Sequence, residues 1–165
     1  MSGTDNPRLL GVLVTFHRVA ELATALERLG AQTRTLDHLL VIDNGSDLEV
    51  KKLVEARPEP TTYVDAGDNL GPAGGFALGM EQLIGEANED DWIFLLDDDD
   101  PPDSDQTLER AGRFAVEMLA NDVAVGCVGV SGGRFDLASG RVLRIADEEL
   151  TGPVPADHVT GGGQP

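Results

Sequence analysis

The feature that most constrains the fold of this chain is an apolar run that ends abruptly in charge. Trp92–Leu96 is apolar and of strand length, and four consecutive aspartates, Asp97–Asp100, follow it before two prolines. A buried strand of this kind places acids at its carboxyl end, where open α/β sheets bind their ligands. Four adjacent carboxylates repel one another, so a hard cation bound through oxygens, Mg²⁺ or Mn²⁺, would account for them. A hydrated acidic loop that also caps the next helix is the alternative.

The charge balance narrows the range of partners. Thirty acidic residues face twelve basic ones, which gives a net charge of −18. This balance argues against nucleic-acid binding, which needs a basic surface, and against adhesion of these residues to an anionic membrane. An anionic substrate would need a local cation to offset the repulsion. A divalent metal at the aspartates would meet that need.

The remaining composition predicts a cytoplasmic protein without a transmembrane segment. No apolar run approaches the ~20 residues that span a bilayer, and the amino terminus lacks the pattern of a signal peptide. Any contact with the inner face of a membrane would be made through parts outside this sequence. The single cysteine, Cys127, lies in an apolar run and is expected to be a small buried residue rather than a reactive thiol.

The order of apolar patterns predicts an α/β fold with a mostly parallel sheet flanked by helices. Predicted strands are Leu9–Phe16, Leu36–Ile42, Thr61–Val64, Trp92–Leu96 and Val123–Val130. Four helices are predicted. The first ends near Gly30, the second runs from Asp47 to Ala56, and the third begins at the glycine-rich turn 67–75. The fourth runs from a capping box at Asp103 and Gln106 to Ala120. We expect one α/β domain over residues 1–130. A β-hairpin is expected after residue 130, and no clear element after Thr151, where the chain looks interrupted within a loop.

Polar groups follow three of these predicted strands. Thr15–Arg18 follows the first strand, Asp43–Ser46 the second, and the four aspartates follow the Trp92 strand. In a parallel sheet these carboxyl ends share one edge, so the groups are expected to converge on one crevice. Asp43 would equally suit an Asx turn or a helix cap. The glycine-rich segment Asn69–Gly75 would suit either close approach of a ligand or a tightly packed helix start.

Four segments together resemble the family 2 inverting glycosyltransferases of the GT-A fold. Val12–Arg18 resembles the opening strand of that family, and Leu40–Ser46 its second strand with a base-binding aspartate. Asn69–Phe76 is similar to its glycine-rich segment, and Leu96–Pro102 to its D-x-D metal motif. The order and spacing also agree. The wording of the glycine-rich segment is most similar to the galactofuranosyl- and rhamnosyltransferase branch.

The resemblance implies a metal-dependent transfer of sugar, with inversion, from a UDP- or dTDP-sugar to an acceptor hydroxyl. The acceptor would be a carbohydrate or a lipid-linked glycan of a cell-wall polysaccharide. Residues 1–130 would bind the nucleotide sugar, and residues 131–165 would begin the acceptor side. The implied nucleotide and donor contacts are Thr15, Phe16, Arg18, Asp43, Asn69, Gly71 and Asp98. The implied ligands of Mg²⁺ or Mn²⁺ are Asp97 and Asp99.

Two departures from the family pattern stand out. His17 replaces the usual asparagine, and the acidic motif that holds the general base is expected beyond Pro165. Two other functions share the general architecture. A receiver-type Mg²⁺-binding regulatory module would need acids after the first strand, where Thr15–Arg18 has none. A sugar-phosphate nucleotidyltransferase would need a glycine-rich, arginine-containing loop there, and residues 16–20 do not form one.

Overall fold

A computed structural model describes residues 7–58, 60–121, 126–129 and 132–159. The helices are α1 Val19–Gly30, α2 Leu48–Glu55, α3 Gly71–Ile84 and α4 Thr107–Ala120, with one short 3-10 turn at Asp147–Glu149. The strands are β1 Leu9–Thr15, β2 His38–Asp43, β3 Thr61–Asp65, β4 Trp92–Asp97, β5 Gly132–Asp136, β6 Arg141–Arg144 and β7 His158–Val159. The chain divides into two compact units, Met1–Val123 and Ala124–Pro165.

The first unit is built on a parallel sheet with strand order β3-β2-β1-β4. Every residue of β1 is buried, because this strand lies between β2 and β4 and has helices on both faces. Its alternate side chains enter two apolar layers. One layer contains Leu9 and Leu13 with residues of α1 and α2, and the other contains Leu10, Val12 and Val14 beneath α3. The predicted α/β fold with a parallel sheet is confirmed.

Helix α3 packs unusually close to the sheet because glycines line its inner face. A Cβ atom at Gly79 would lie 2.4 Å from Cγ1 of Val12, and one at Gly75 would lie 2.8 Å from Cγ1 of Val14. Real Cβ atoms do not approach so closely, so only glycine permits this spacing without a shift. The helix therefore holds its first turn directly over the carboxyl ends of β1 and β2.

The second unit contains a small antiparallel sheet with order β6-β5-β7. Strands β5 and β6 form the hairpin that the sequence predicted, with Arg134 opposite Leu143 and a turn closed at Gly140, whose φ is +66°. Strand β7 pairs with β5 through Gly132 and Gly133. The expectation of no element after Thr151 was therefore wrong, because two residues that lack any apolar period still complete a sheet.

Other sequence predictions differ from the structure in detail. Helix α4 begins at Thr107, where the side chain of Thr107 and the backbone of Ser104 exchange hydrogen bonds, so the predicted Asp103 capping box was wrong. Cys127 is exposed rather than buried. Half of the predicted strand Val123–Val130 falls outside the described residues, and 126–129 form no strand. Within the described ranges, no helix has the length and apolar character that a membrane crossing requires.

Candidate functional site

The carboxyl ends of β1, β2 and β4 bring the predicted groups to one edge of the parallel sheet. Thr15, the last residue of β1, pairs with Asp43 at the end of β2, and Val14 pairs with Asp97 at the end of β4. Parallel strands in this register place the residues that follow each strand side by side. The convergence predicted from the sequence therefore holds for β1, β2 and β4.

Asp98 ties β1 to β4 across this edge. Its side chain is buried, the Thr15 hydroxyl donates to Oδ2 at 2.7 Å, and the Arg18 guanidinium donates to Oδ1 at 3.3 Å. Arg18 also donates to the carboxylate of Asp99. Both oxygens of Asp98 thus face protein donors. Its implied contact with a ribose or donor sugar stays a prediction.

Asp97 ends β4 next to three further aspartates. Partial burial, together with the negative charges of the three aspartates that follow it, raises the pKa of the Asp97 carboxyl above its ordinary value. A nearby cation would remove that penalty. The Asp99 side chain is 55% exposed, and its carboxylate accepts from the Arg18 guanidinium.

The donor set fits Mg²⁺ or Mn²⁺ bound together with phosphates. No group of three or more His, Cys, Asp or Glu side chains with metal-ligating geometry occurs among the residues that the structure describes. Magnesium commonly binds through one or two carboxylates and completes its shell with water and substrate phosphates. Asp97 and Asp99 suit that pattern better than they suit an all-protein cage.

Asp43 is fully buried and holds the turn that follows β2. Its Oδ1 accepts the Gly45 N–H at 2.8 Å, and its Oδ2 accepts the Asp47 N–H at 2.6 Å and the Tyr63 hydroxyl at 3.0 Å. Burial, followed by the bond to Asp43, raises the pKa of Tyr63. This is the Asx-turn role that the sequence left open. Contact with a nucleobase stays a prediction, with part of the acceptor capacity of the carboxylate still available.

Phe16 and His17, which follow β1, form an exposed rim beside this turn. The Phe16 ring is 43% exposed, and its centroid lies 4.3 Å from that of His17. The backbone of His17 is left-handed, with φ of +54°. Asparagine tolerates that conformation better than most residues, which gives a physical reason for the asparagine usual in the resembling family. Histidine in place of the usual asparagine at position 17 therefore affects the backbone conformation as well as any side-chain contact.

The glycine-rich segment opens α3, as the sequence predicted. Gly71 has φ of +67°, and its N–H donates to Oδ1 of Asn69 at 2.9 Å. The side chain of Asn69 thus serves the turn that precedes the helix, and the residue itself is exposed. Asn69 and Gly71 are positioned by this local bond at the start of the helix that covers the sheet edge.

Sequence reasoning missed three polar residues at this edge. Asn44 is buried next to Asp43, Tyr63 reaches Asp43 from β3, and Asp65 accepts the Ser46 hydroxyl at 2.6 Å. That hydroxyl, with the Gly67 N–H, lowers the pKa of Asp65. Asn44 lies inside the motif that singled out Asp43. Tyr63 lies in a short strand whose sequence carries no sign of which side chain faces the site.

A model of the family described as "Glycosyl transferase family 2" matches residues 12–152. The chain belongs to glycosyl transferase family 2. The match spans all four segments that carried the resemblance, together with the hairpin of the second unit. Family membership sets aside the receiver-type module and the nucleotidyltransferase as readings of this chain.

Two mycobacterial proteins named galactofuranosyltransferase GlfT1 are similar to the chain. The chain is 48% identical over 99 residues to the protein from Mycolicibacterium smegmatis, and this alignment covers 60% of the chain and 32% of that protein. It is 47% identical over 93 residues to the one from Mycobacterium tuberculosis, which covers 55% and 30%. The chain spans about a third of the length of these relatives.

The fold is also that of a solved glycosyltransferase. The mannosyltransferase PcManGT from Pyrobaculum calidifontis, solved in complex with GDP-Man and Mn²⁺, matches with a TM-score of 0.53 and 19% identity. The match covers 79% of this chain and 36% of that one. The likeness shows that the parallel sheet and its helices have the GT-A glycosyltransferase fold.

Proposed function

We propose that this chain is the donor-binding part of a glycosyltransferase that transfers a sugar, with inversion, from a nucleoside diphosphate to an acceptor hydroxyl. The convergence of Arg18, Asp97 and Asp99 at one sheet edge carries the proposal. These residues combine a cation-binding pair with a guanidinium suited to phosphate. Family membership supports the reaction class, and the short overlap with the relatives leaves the activity of the whole protein a proposal.

Asp97 and Asp99 would hold Mg²⁺ or Mn²⁺. The ion would supply electrostatic stabilisation of the diphosphate that leaves. The remaining residues of the edge bind and orient. Arg18 presents guanidinium donors toward phosphate oxygens, and Asp98, fixed by the Thr15 hydroxyl, keeps the ends of β1 and β4 together.

The nucleoside would lie between the rim and the glycine-rich turn. Phe16 offers an exposed ring for contact with the base, and Asp43 offers its remaining acceptor capacity. Asn69 and Gly71 would lie against the nucleotide or the donor sugar. The similarity to two galactofuranosyltransferases favours galactofuranose as that sugar, carried by UDP or dTDP.

The acceptor side is proposed from the resemblance. The acceptor would be a carbohydrate or a lipid-linked glycan of a cell-wall polysaccharide, in the cytoplasm at the inner face of the membrane. Its hydroxyl must lose a proton during transfer, and a carboxylate outside residues 1–165 would take it as general base. Residues 131–165 would begin the region that binds this acceptor.

The test is calorimetric titration of the chain with UDP and dTDP, with and without Mn²⁺. We expect binding that depends on the metal and a preference for one base. In Asp97→Asn/Asp99→Asn the metal-dependent affinity should fall by ~100-fold or more, because even the loss of outer-shell partners costs 10–100-fold. The double variant should still unfold cooperatively.

A matched control separates a ligand role from a general charge effect. Asp103→Asn/Asp105→Asn removes two exposed carboxylates with the same spacing and changes the net charge equally. It should bind nucleotide within about twofold of the wild-type chain, which is less than 0.5 kcal/mol. Equal losses in both double variants, or no nucleotide binding by the folded wild-type chain, would overturn the proposal.

A further inference from the structure

Asn44 is a buried amide that joins three segments of the candidate site. The residue is 4% exposed and directly follows β2. Its backbone N–H donates to the Thr15 carbonyl at 3.0 Å, and its side-chain Nδ2 donates to the Gly71 carbonyl at 3.1 Å. Asn44 therefore connects the end of β1 and the end of β2 with the start of α3.

The Gly71 peptide is held from both sides. Its N–H donates to Asn69 and its carbonyl accepts from Asn44, while its left-handed φ of +67° turns the chain into the helix. A glycine in this conformation has wide freedom when it is not held. The two amide side chains thus fix the orientation of a turn that sequence composition alone would leave loose.

The other end of the Asn44 amide has no such partner. Among the described residues, Asn44 Oδ1 is buried and accepts no hydrogen bond. A buried acceptor without a donor costs free energy, and an apolar side chain of the same shape would avoid that cost. An amide at this position is therefore poorly explained by stability alone. Its one side-chain bond, to Gly71, is the property that an apolar residue could not supply.

We infer that Asn44 is a positioning residue that holds the Gly71 turn in place for binding of the nucleoside diphosphate. This inference rests on the proposed function. The role assigned to Asn44 needs no contact with the nucleotide, because its Nδ2 donates to the Gly71 carbonyl. It acts through the segment Asn69–Gly71, and it locks that segment to the same strand end that carries Thr15.

The test compares Asn44→Leu and Asn44→Asp with the wild-type chain by amide hydrogen exchange and nucleotide titration. Leucine keeps the shape and removes the orphaned acceptor, and aspartate replaces the donor nitrogen with oxygen. We expect faster exchange at 71–76 in both variants, with exchange in β1 unchanged. We also expect UDP or dTDP, in the presence of Mn²⁺, to bind ~10-fold more weakly, the equivalent of one hydrogen bond.

Asn121→Leu is the matched control. Asn121 also donates through Nδ2 to a backbone carbonyl, that of Glu117 at 2.7 Å, but it is exposed and follows α4. The Asn121→Leu variant should therefore have the nucleotide affinity of the wild-type chain and the same amide exchange at 71–76. The inference is overturned if the Asn44 variants leave that exchange unchanged, or if exchange quickens while nucleotide affinity stays at the wild-type value.

Failure of the proposed function would look different. If the folded wild-type chain binds neither UDP nor dTDP, the donor site and the role of Asn44 in binding both fall. The exchange measurement then still reports whether Asn44 holds the turn. A wild-type chain that binds nucleotide, beside Asn44 variants that bind equally well, refutes only the role of Asn44.

Discussion

The acidic side chains at the two ends of the parallel sheet have different partners. At the amino end, Asp91 accepts bonds from the Arg8 guanidinium at 2.6 and 3.0 Å and from the Arg8 N–H at 3.0 Å. His38 there bridges Glu86 at 2.7 Å and Thr62 at 2.9 Å. Each of these acids meets a basic side chain.

At the carboxyl end, four aspartates stand in a row and Arg18 contacts two of them, Asp98 and Asp99. Their mutual repulsion contributes to the raised pKa of Asp97. Asp43, Asp65 and Asp98 accept hydrogen bonds at this end as well. The acids of the aspartate row nevertheless outnumber the basic side chains that contact them, and a cation would offset the excess charge. The comparison teaches that the balance between acidic and basic side chains differs at the two ends of one sheet.

The largest expected effect comes from breaking the amino end. Asp91→Ala removes the carboxylate that accepts from the Arg8 guanidinium and from the Arg8 and Asn88 N–H groups, while the guanidinium keeps its bond to the Glu86 carbonyl. We expect a loss of about 2 kcal/mol in the free energy of unfolding, because the Asp91 side chain is 3% exposed and accepts charged and backbone donors, although Arg8 is 39% exposed. Chemical denaturation measures it. Exposed Asp90→Ala is the control, and a change below about 1 kcal/mol in Asp91→Ala would refute the assigned role.

The next largest effect concerns the close packing of α3 on the middle of the sheet. Gly79→Ala places a Cβ 2.4 Å from Val12 Cγ1, so helix or strand must shift, at a cost of about 1–3 kcal/mol. Denaturation again measures the change. Gly85→Ala adds the same methyl group at the end of α3, where φ is −65°, and should be nearly neutral. Equal stabilities of the two variants would contradict the close packing of α3.

The contributions of Asp91 and Asp97 to stability should depend on pH with opposite signs. Burial by itself would raise the pKa of Asp91, but the bonds from Arg8 and Asn88 outweigh it and hold this pKa below the ordinary 3.8. The stability that Asp91 contributes is therefore present above pH 3.8 and is lost as pH falls through its folded pKa. For Asp97 the folded pKa is raised, so its contribution is fully present below pH 3.8 and is lost as pH rises through the folded pKa.

Asparagine variants isolate these two slopes. Subtracting the stability of Asp91→Asn from that of the wild type should leave a difference that shrinks on acidification below pH 3.8. The same subtraction for Asp97→Asn should leave a difference that turns against the wild type as pH rises above 3.8. Thermal unfolding at a series of pH values provides the data. Differences with the same sign of slope would refute the contrast between Asp91 and Asp97.

The smallest expected effect tests backbone strain at His17, which follows β1 at the carboxyl end of the sheet. His17→Asn places a residue that tolerates left-handed backbone at φ of +54° and should stabilise the chain by about 0.5 kcal/mol. Thermal unfolding at neutral pH measures it. His158→Asn, in β7 with ordinary backbone, is the comparison. A stabilisation that is equal in both variants would show that backbone strain at His17 is not the cause.

Much of the fold followed from local pattern. Leu9–Val14 is apolar throughout, and such a run indicates a strand covered on both faces. Leu22, Ala25, Leu26 and Leu29 share one helical face, and all four are buried in α1. The start of α4 and the pairing of β7 escaped prediction, because each depends on a few backbone and side-chain bonds without a periodic signal.

The sequence by itself determined that the residues after β1, β2 and β4 meet at the carboxyl edge, because apolar strands that end in polar residues define both the strand and its exposed end. It did not determine how each polar group is used. Only the tertiary structure decided that Asp43 closes its own turn, that Asp98 faces inward, and that Asn44 holds Gly71. The physical reason is that a hydrogen bond depends on distance and direction across strands, whereas strand formation depends on patterns that lie along the chain.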